Sequence, residues 1–230
     1  MLNSPGTHGI DSLMALMRNL NVRRVAVIHQ GDDYTQNLSD IANQRLPPAG
    51  FNIATTQVMD RGAPDISAIV TAIRNANVDA VFWAGYFADG GNAIRQLRAG
   101  GFTGHIICGD GSASTELIPA SGPAGEGVFV TSPPFIQFSE GGEAFTAAFQ
   151  ANFNYPPDAY APLAYDTIHV LKAAIETAGT TDTARVRDAI QNISYRGLSG
   201  LISFAPNREL ATSNFIIIQI RGGEYTLYRL

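Results

Sequence analysis

Along the first 130 or so residues, short apolar runs alternate with apolar residues at helical spacing, and no other feature narrows the fold as much. The runs are Arg24-Val25-Ala26-Val27-Ile28, Phe51 to Val58, Asp79-Ala80-Val81-Phe82-Trp83, His105-Ile106-Ile107-Cys108 and Gly127-Val128-Phe129-Val130. Each is short enough for a strand, and the β-branched run from Arg24 to Ile28 fits one that is buried. Between them stand Leu13, Leu16, Met17 and Leu20, then Tyr34 to Leu46, stopped by Pro47-Pro48. Ile66, Ile69, Val70 and Ile73 make a further stripe; Asn92 to Ala99 is closed by Gly100-Gly101, and a short helix is expected near Ser114 to Ile118. This alternation predicts an α/β fold with a parallel, doubly wound sheet. Right-handed crossovers then leave the loops that follow the strands on one edge of it.

At Thr131-Ser132-Pro133-Pro134 the pattern changes. Helical spacing runs over Glu140 to Phe153, Asp158 to Ala178 and Thr183 to Ile193. Phe145, Phe149 and Phe153 line one face; Leu163, Thr167, Leu171 and Ala174, with Ala164, Ile168 and Ile175, line another. Strands return at Gly200 to Phe204, Asn214 to Ile220 and Glu224 to Tyr228, the last two as a hairpin across Arg221-Gly222-Gly223. The expected organisation is an α/β unit from residues 1–131 with 205–230, and a helical block from 134–203. The helical block has more apolar stripes than its single strand can cover.

Charged residues are only 15% of the 230, against 45% hydrophobic, which points to extensive burial. A net charge of -5 without Lys/Arg clusters argues against binding nucleic acid. The single Cys108 excludes an intrachain disulfide and a cysteine-rich zinc site, and its place in an apolar run points to inert burial. No run reaches the ~18 residues of a membrane span. The start, Met1-Leu2-Asn3-Ser4-Pro5-Gly6, lacks the pattern of a signal peptide.

The chemistry concentrates in three turns at strand ends: His29-Gln30-Gly31-Asp32-Asp33-Tyr34, Ala84-Gly85-Tyr86-Phe87 and Gly109-Asp110-Gly111-Ser112. In an open parallel sheet that edge is the ligand crevice. Asp110 between two glycines is either a helix cap or an acceptor for a ligand ammonium. Tyr86 is a core or a pocket residue, and Tyr34 covers the helix start or lines the same pocket. Asp32 and Asp33 cap the helix that follows. His29 reads as a satisfied buried histidine, since no nucleophile stands beside it. There is no Gly-x-Ser-x-Gly, His-Glu-x-x-His, Walker loop or Gly-x-Gly-x-x-Gly after a strand, so no catalytic residue, metal or cofactor is expected.

These residues resemble a family. Arg24 to His29 with Tyr34 five residues on, and Asp79 to Tyr86, are similar to the second lobe of the leucine/isoleucine/valine-type solute-binding proteins of ABC importers. So are Ile94 to Gly101, the series Phe149, Tyr155, Pro156, Tyr160, Ala164-Tyr165-Asp166, Ala173-Ala174-Ile175 and Ala178-Gly179, and Gly197 to Phe204. The resemblance implies a type I periplasmic-binding fold, with a small solute, an amino acid or a relative of one, trapped between two lobes. It implies that Tyr34, Tyr86 and Asp110 line the second lobe, that Asp110 holds an α-amino group, and that Tyr160 approaches the ligand side chain from the first. Asn207-Arg208 occupies a turn that often holds glycine in the family.

The resemblance further implies a membrane permease as partner and a periplasmic or extracellular location. It also implies that a first-lobe segment, roughly a third of a whole chain, precedes the region where this sequence starts. The helical stripes would then lack their sheet, and in isolation they would favour a homodimer or segment exchange. A ligand-sensing domain of a receptor or transcriptional regulator is the alternative on the same fold.

Overall fold

The computed structural model describes residues 5–230; the sequence reading at Met1 to Ser4 lies outside them. The chain divides into two compact units, one of Pro5–Ser132 with Ile216–Leu230 and the other of Pro133–Phe215.

The first unit is built on strands β1 (Arg24–His29), β2 (Asn52–Val58), β3 (Ala80–Ala84), β4 (His105–Cys108) and β5 (Phe129–Ser132), followed far along the chain by two more. These two, β8 (Ile216–Arg221) and β9 (Glu224–Tyr228), form a hairpin turned by Gly222-Gly223. The seven-stranded sheet has the order β2-β1-β3-β4-β5-β8-β9. Strands β1 to β5 run parallel, and β8 and β9 are antiparallel additions. An α/β fold with a mostly parallel sheet is thus as the alternation predicts. On β2, Ala54 is the extra residue of a bulge opposite Val25 and Ala26.

Successive residues of a strand face opposite sides of the sheet. Val25, Val27, Ala80, Phe82, Ile107 and Phe129 join one core with Ile10, Leu13, Leu16 and Met17 of α1 (Ile10–Asn19) and Leu38 and Ala42 of α2 (Asp33–Arg45). The alternate residues, among them Ile28, Val81, Trp83 and Ile106, are equally buried and face the other layer. That layer holds α3 (Ser67–Ala76), α4 (Phe87–Ala99) and α5 (Leu117–Ser121). Helix α4 begins five residues before the expected Asn92 and runs through Gly90-Gly91. Packing outweighs propensity there: a Cβ on Gly91 would stand 2.5 Å from the Ala120 Cβ, so glycine lets α4 and α5 touch.

Between β1 and β3 the strand order reverses direction, because β2 lies on one side of β1 and β3 on the other. Such a switch point opens the ligand crevice at the carboxyl ends of the strands. The turns after β1 and β3 flank it.

The second unit contains α6 (Gly142–Phe153), α7 (Ala161–Ala178), α8 (Thr183–Gln191) and an antiparallel pair, β6 (Ser194–Gly197) with β7 (Gly200–Ser203). Strand β6 is not foreseen in the sequence, because Ser-Tyr-Arg-Gly is polar and lies half in water. Leu163, Val170, Ile202 and Leu210 form a small core. Asp166 of α7, 1% exposed, accepts from the Leu198 N–H (3.0 Å), the Ser199 N–H (2.7 Å) and the Ser199 hydroxyl (2.6 Å). It fastens the β6–β7 turn to the helix. The remaining stripes stay open: Phe153, Tyr155, Tyr165 and Ile168 are exposed, and with Phe145 and Phe149 the apolar faces of α6 and α7 border a groove of about 710 Å³.

Candidate functional site

The backbone of the switch-point turns is set by three side chains. Trp83, at the end of β3, lies beneath the following turn, so Gly85 must be glycine: a Cβ there would stand 2.4 Å from the indole. The Trp83 Nε1–H donates to the Tyr86 carbonyl at 3.3 Å. Gln30, after β1, accepts from the Tyr86 N–H at 2.8 Å and donates to Asp89 Oδ2 at 2.6 Å. Asp89 Oδ1 in turn accepts from the Gly62 N–H at 3.0 Å. One amide side chain therefore ties the β1 and β3 turns together, and a carboxylate adds the loop after β2.

On this frame stand two tyrosine–aspartate pairs. The Tyr34 hydroxyl donates to Asp110 Oδ1 at 2.5 Å, and the Tyr86 hydroxyl to Asp32 Oδ1 at 3.3 Å. The two rings lie 5.6 Å apart and are tilted by 33°. Gly111 makes room for both: a Cβ on it would stand 3.1 Å from Tyr34 Cε1 and 3.4 Å from Tyr86 Cδ1. Asp110 opens a short 3-10 turn, Asp110–Ser112, and is 3% exposed. Ser112 anchors that turn by donating to the Gly85 carbonyl at 2.9 Å.

Asp32 is the N-cap of α2, accepting from the Thr35 N–H at 3.1 Å, while Asp33 is the first helical residue. Burial, and then the charge and hydrogen bond of Asp32, hold the Tyr86 hydroxyl above its ordinary pKa of 10.0; Arg61 pulls the other way. Tyr86 therefore remains a protonated donor. The Arg61 guanidinium lies over its ring, 5.2 Å from the centroid.

The structure thus brings Tyr34, Tyr86 and Asp110 together on one edge of the sheet. Tyr160 belongs to the second unit, where it is the N-cap residue of α7; its N–H donates to Asp158 Oδ1 at 2.9 Å, and the residue is 42% exposed. His29 is buried, its Nδ1 accepts from the Gly31 N–H at 3.2 Å, and burial lowers its pKa below the ordinary value. Cys108 is buried, and desolvation pushes its thiol up to about 12, a group without nucleophilic character at neutral pH. Sequence reasoning missed Gln30, Arg61 and the second role of Asp32. The available signal was position, since all three lie just beyond strand ends.

A carboxylate offers acceptors only, so Asp110 pairs only with hydrogen-bond donors. The tyrosine rings beside it supply apolar surface. This chemistry suits a small molecule with an ammonium group and a less polar body.

Comparison with known proteins agrees with the fold. The model of the family described as periplasmic binding protein matches residues 5–224. Leu/Ile/Val-binding protein homolog 2 of Brucella abortus is 29% identical over 202 residues, which cover 87% of this chain and 54% of that protein. An amino acid binding protein of Pseudomonas aeruginosa is 28% identical over the same share of each. The leucine binding protein LivK of Thermotoga maritima superposes with a TM-score of 0.84 at 27% identity, covering 98% of this chain and 65% of LivK. The chain spans about half the length of the curated relatives it matches.

Proposed function

Since this chain belongs to the periplasmic binding protein family, we propose that it serves as the solute-binding component of an amino-acid ABC importer. The observation that carries this reading is the Asp110 carboxylate, buried at a strand end and flanked by the Tyr34 and Tyr86 rings. Asp110 accepts from the ligand ammonium, and each such charge-assisted bond contributes roughly 1.5–3 kcal/mol. Tyr34 and Tyr86 flank the ligand body. The sheet unit is one ligand-binding lobe, the helical unit is part of the other, and Tyr160 contributes from that second lobe. A membrane permease is the partner, and the site of action is periplasmic or extracellular. The names of the relatives, all binding proteins, support a binding role without turnover.

A thermal-shift screen against amino acids, small amides and organic acids tests the proposal. A ligand that binds the folded state alone stabilises it by RT ln(1 + [L]/Kd), and so raises Tm once its concentration exceeds Kd. The expected result is stabilisation by one or more amino acids and by no deaminated analogue. Stabilisation by the organic acids alone would sink the assignment of Asp110 to an ammonium.

A further inference from the structure

The loop after β2 carries a cation that the fold does not use. Arg61 is exposed, and among the described residues its side chain makes no hydrogen bond and no ion pair. The guanidinium lies over the face of Tyr86, 5.2 Å from the ring centroid. The loop beneath it is nevertheless held firmly by backbone groups. The Gly62 N–H donates to Asp89 Oδ1 at 3.0 Å; the Ala63 carbonyl accepts from Asn92 Nδ2 at 2.9 Å and the Pro64 carbonyl from Gln96 Nε2 at 2.9 Å. The Ile66 N–H donates to Gln96 Oε1 at 2.9 Å. A guanidinium with its donors uncommitted, stacked on a wall residue of the site and mounted on a pinned loop, is suited to bidentate capture of a carboxylate.

We propose that Arg61 determines specificity at this site by binding a carboxylate that the solute carries away from its ammonium group, so that an acidic amino acid is preferred to an apolar one. The inference rests on the reading of Asp110 given above. Tyr86 packs against both Tyr34, the partner of Asp110, and Arg61, so the two charged groups border one aromatic shelf. Asp110 and Arg61 are not in ion-pair contact, so neither neutralises the other. An acidic side chain extended over the shelf places one charge at each end. An apolar side chain leaves the guanidinium to solvent.

Titration calorimetry on the full-length protein with glutamate, leucine and glutarate tests this, using wild type, Arg61→Ala and Asp110→Asn. Wild type is expected to bind glutamate more tightly than leucine, and Arg61→Ala to lower the glutamate-to-leucine affinity ratio by roughly tenfold or more, one charge-assisted contact being lost. Because the bonds that hold the loop are made by backbone atoms of residues 62–66, the variant should retain the wild-type Tm. An unchanged ratio, or tighter binding of leucine by wild type, overturns the role of Arg61 and leaves that of Asp110 standing. Glutarate bound as tightly as glutamate, or affinities untouched by Asp110→Asn, overturns the reading of Asp110 and this proposal with it.

Discussion

The Tyr34 hydroxyl and the Asp110 carboxylate meet at 2.5 Å, across 76 residues of sequence. The bond orients a buried carboxylate and joins the turn after β1 to the turn after β4. Asp110→Asn keeps the shape and removes the charge, so amino-acid affinity should fall roughly 10- to 100-fold. Tyr34→Phe removes one donor and should cost about tenfold or less. Calorimetry on both variants is the check, and an Asp110→Asn protein with wild-type affinity would remove this residue from the site.

Asp166 is expected to be the costliest single polar loss in the helical unit. Three donors converge on it from Leu198 and Ser199. Asp166→Ala strands the Ser199 N–H and hydroxyl in a buried position, which should destabilise by about 2–4 kcal/mol. Denaturant titration measures the loss, and amide exchange should accelerate first at Leu198 and Ser199. Slow exchange at both in the variant would show that the turn is held by something else.

Arg208 adopts φ 68°, in the left-handed region that favours glycine. A side chain there costs roughly 1–2 kcal/mol, and glycine returns part of this gain as unfolded-state entropy. Arg208→Gly should therefore raise stability by about 0.5–1 kcal/mol. A lower Tm in the variant would mean that the arginine side chain contributes a contact worth more than the strain.

Burial holds the His29 imidazole below its ordinary 6.5, against the opposing influence of Asp40 and Asp32. The folded protein thus takes up this proton less readily than the unfolded chain. The contribution of His29 is at its full value above about pH 6.5 and declines as pH falls from there towards the folded pKa. Protonation at Nδ1 also removes the acceptor for the Gly31 N–H. The His29 ring resonances should titrate with a midpoint under 6.5 in NMR. A midpoint at or above it would contradict the burial argument.

Much of the fold was legible because it rests on local periodicity. Val25-Ala26-Val27-Ile28 and Ala80-Val81-Phe82-Trp83 are apolar at every position and β-branched or aromatic in most, as short strands covered on both faces are. Where the expectation missed, a packing contact or a polar surface had overridden the local signal. Gly90-Gly91 resemble a helix boundary until Ala120 is placed against them, and β6 is too polar to stand out.

The site divides along the same line. Local sequence was enough to place Tyr34, Tyr86 and Asp110 at strand ends, because strand limits and turn residues are read over a few neighbours. Which of those turns meet, and through which atoms, depended on pairings of residues 25 to 76 positions apart. The bond from Gln30 to Tyr86, that of Asp32 to the Tyr86 hydroxyl, and the stacking of Arg61 all arise from the strand order β2-β1-β3-β4. Hydrophobic spacing carries no record of that order. It emerges only when the strands pair and their carboxyl ends come to one edge.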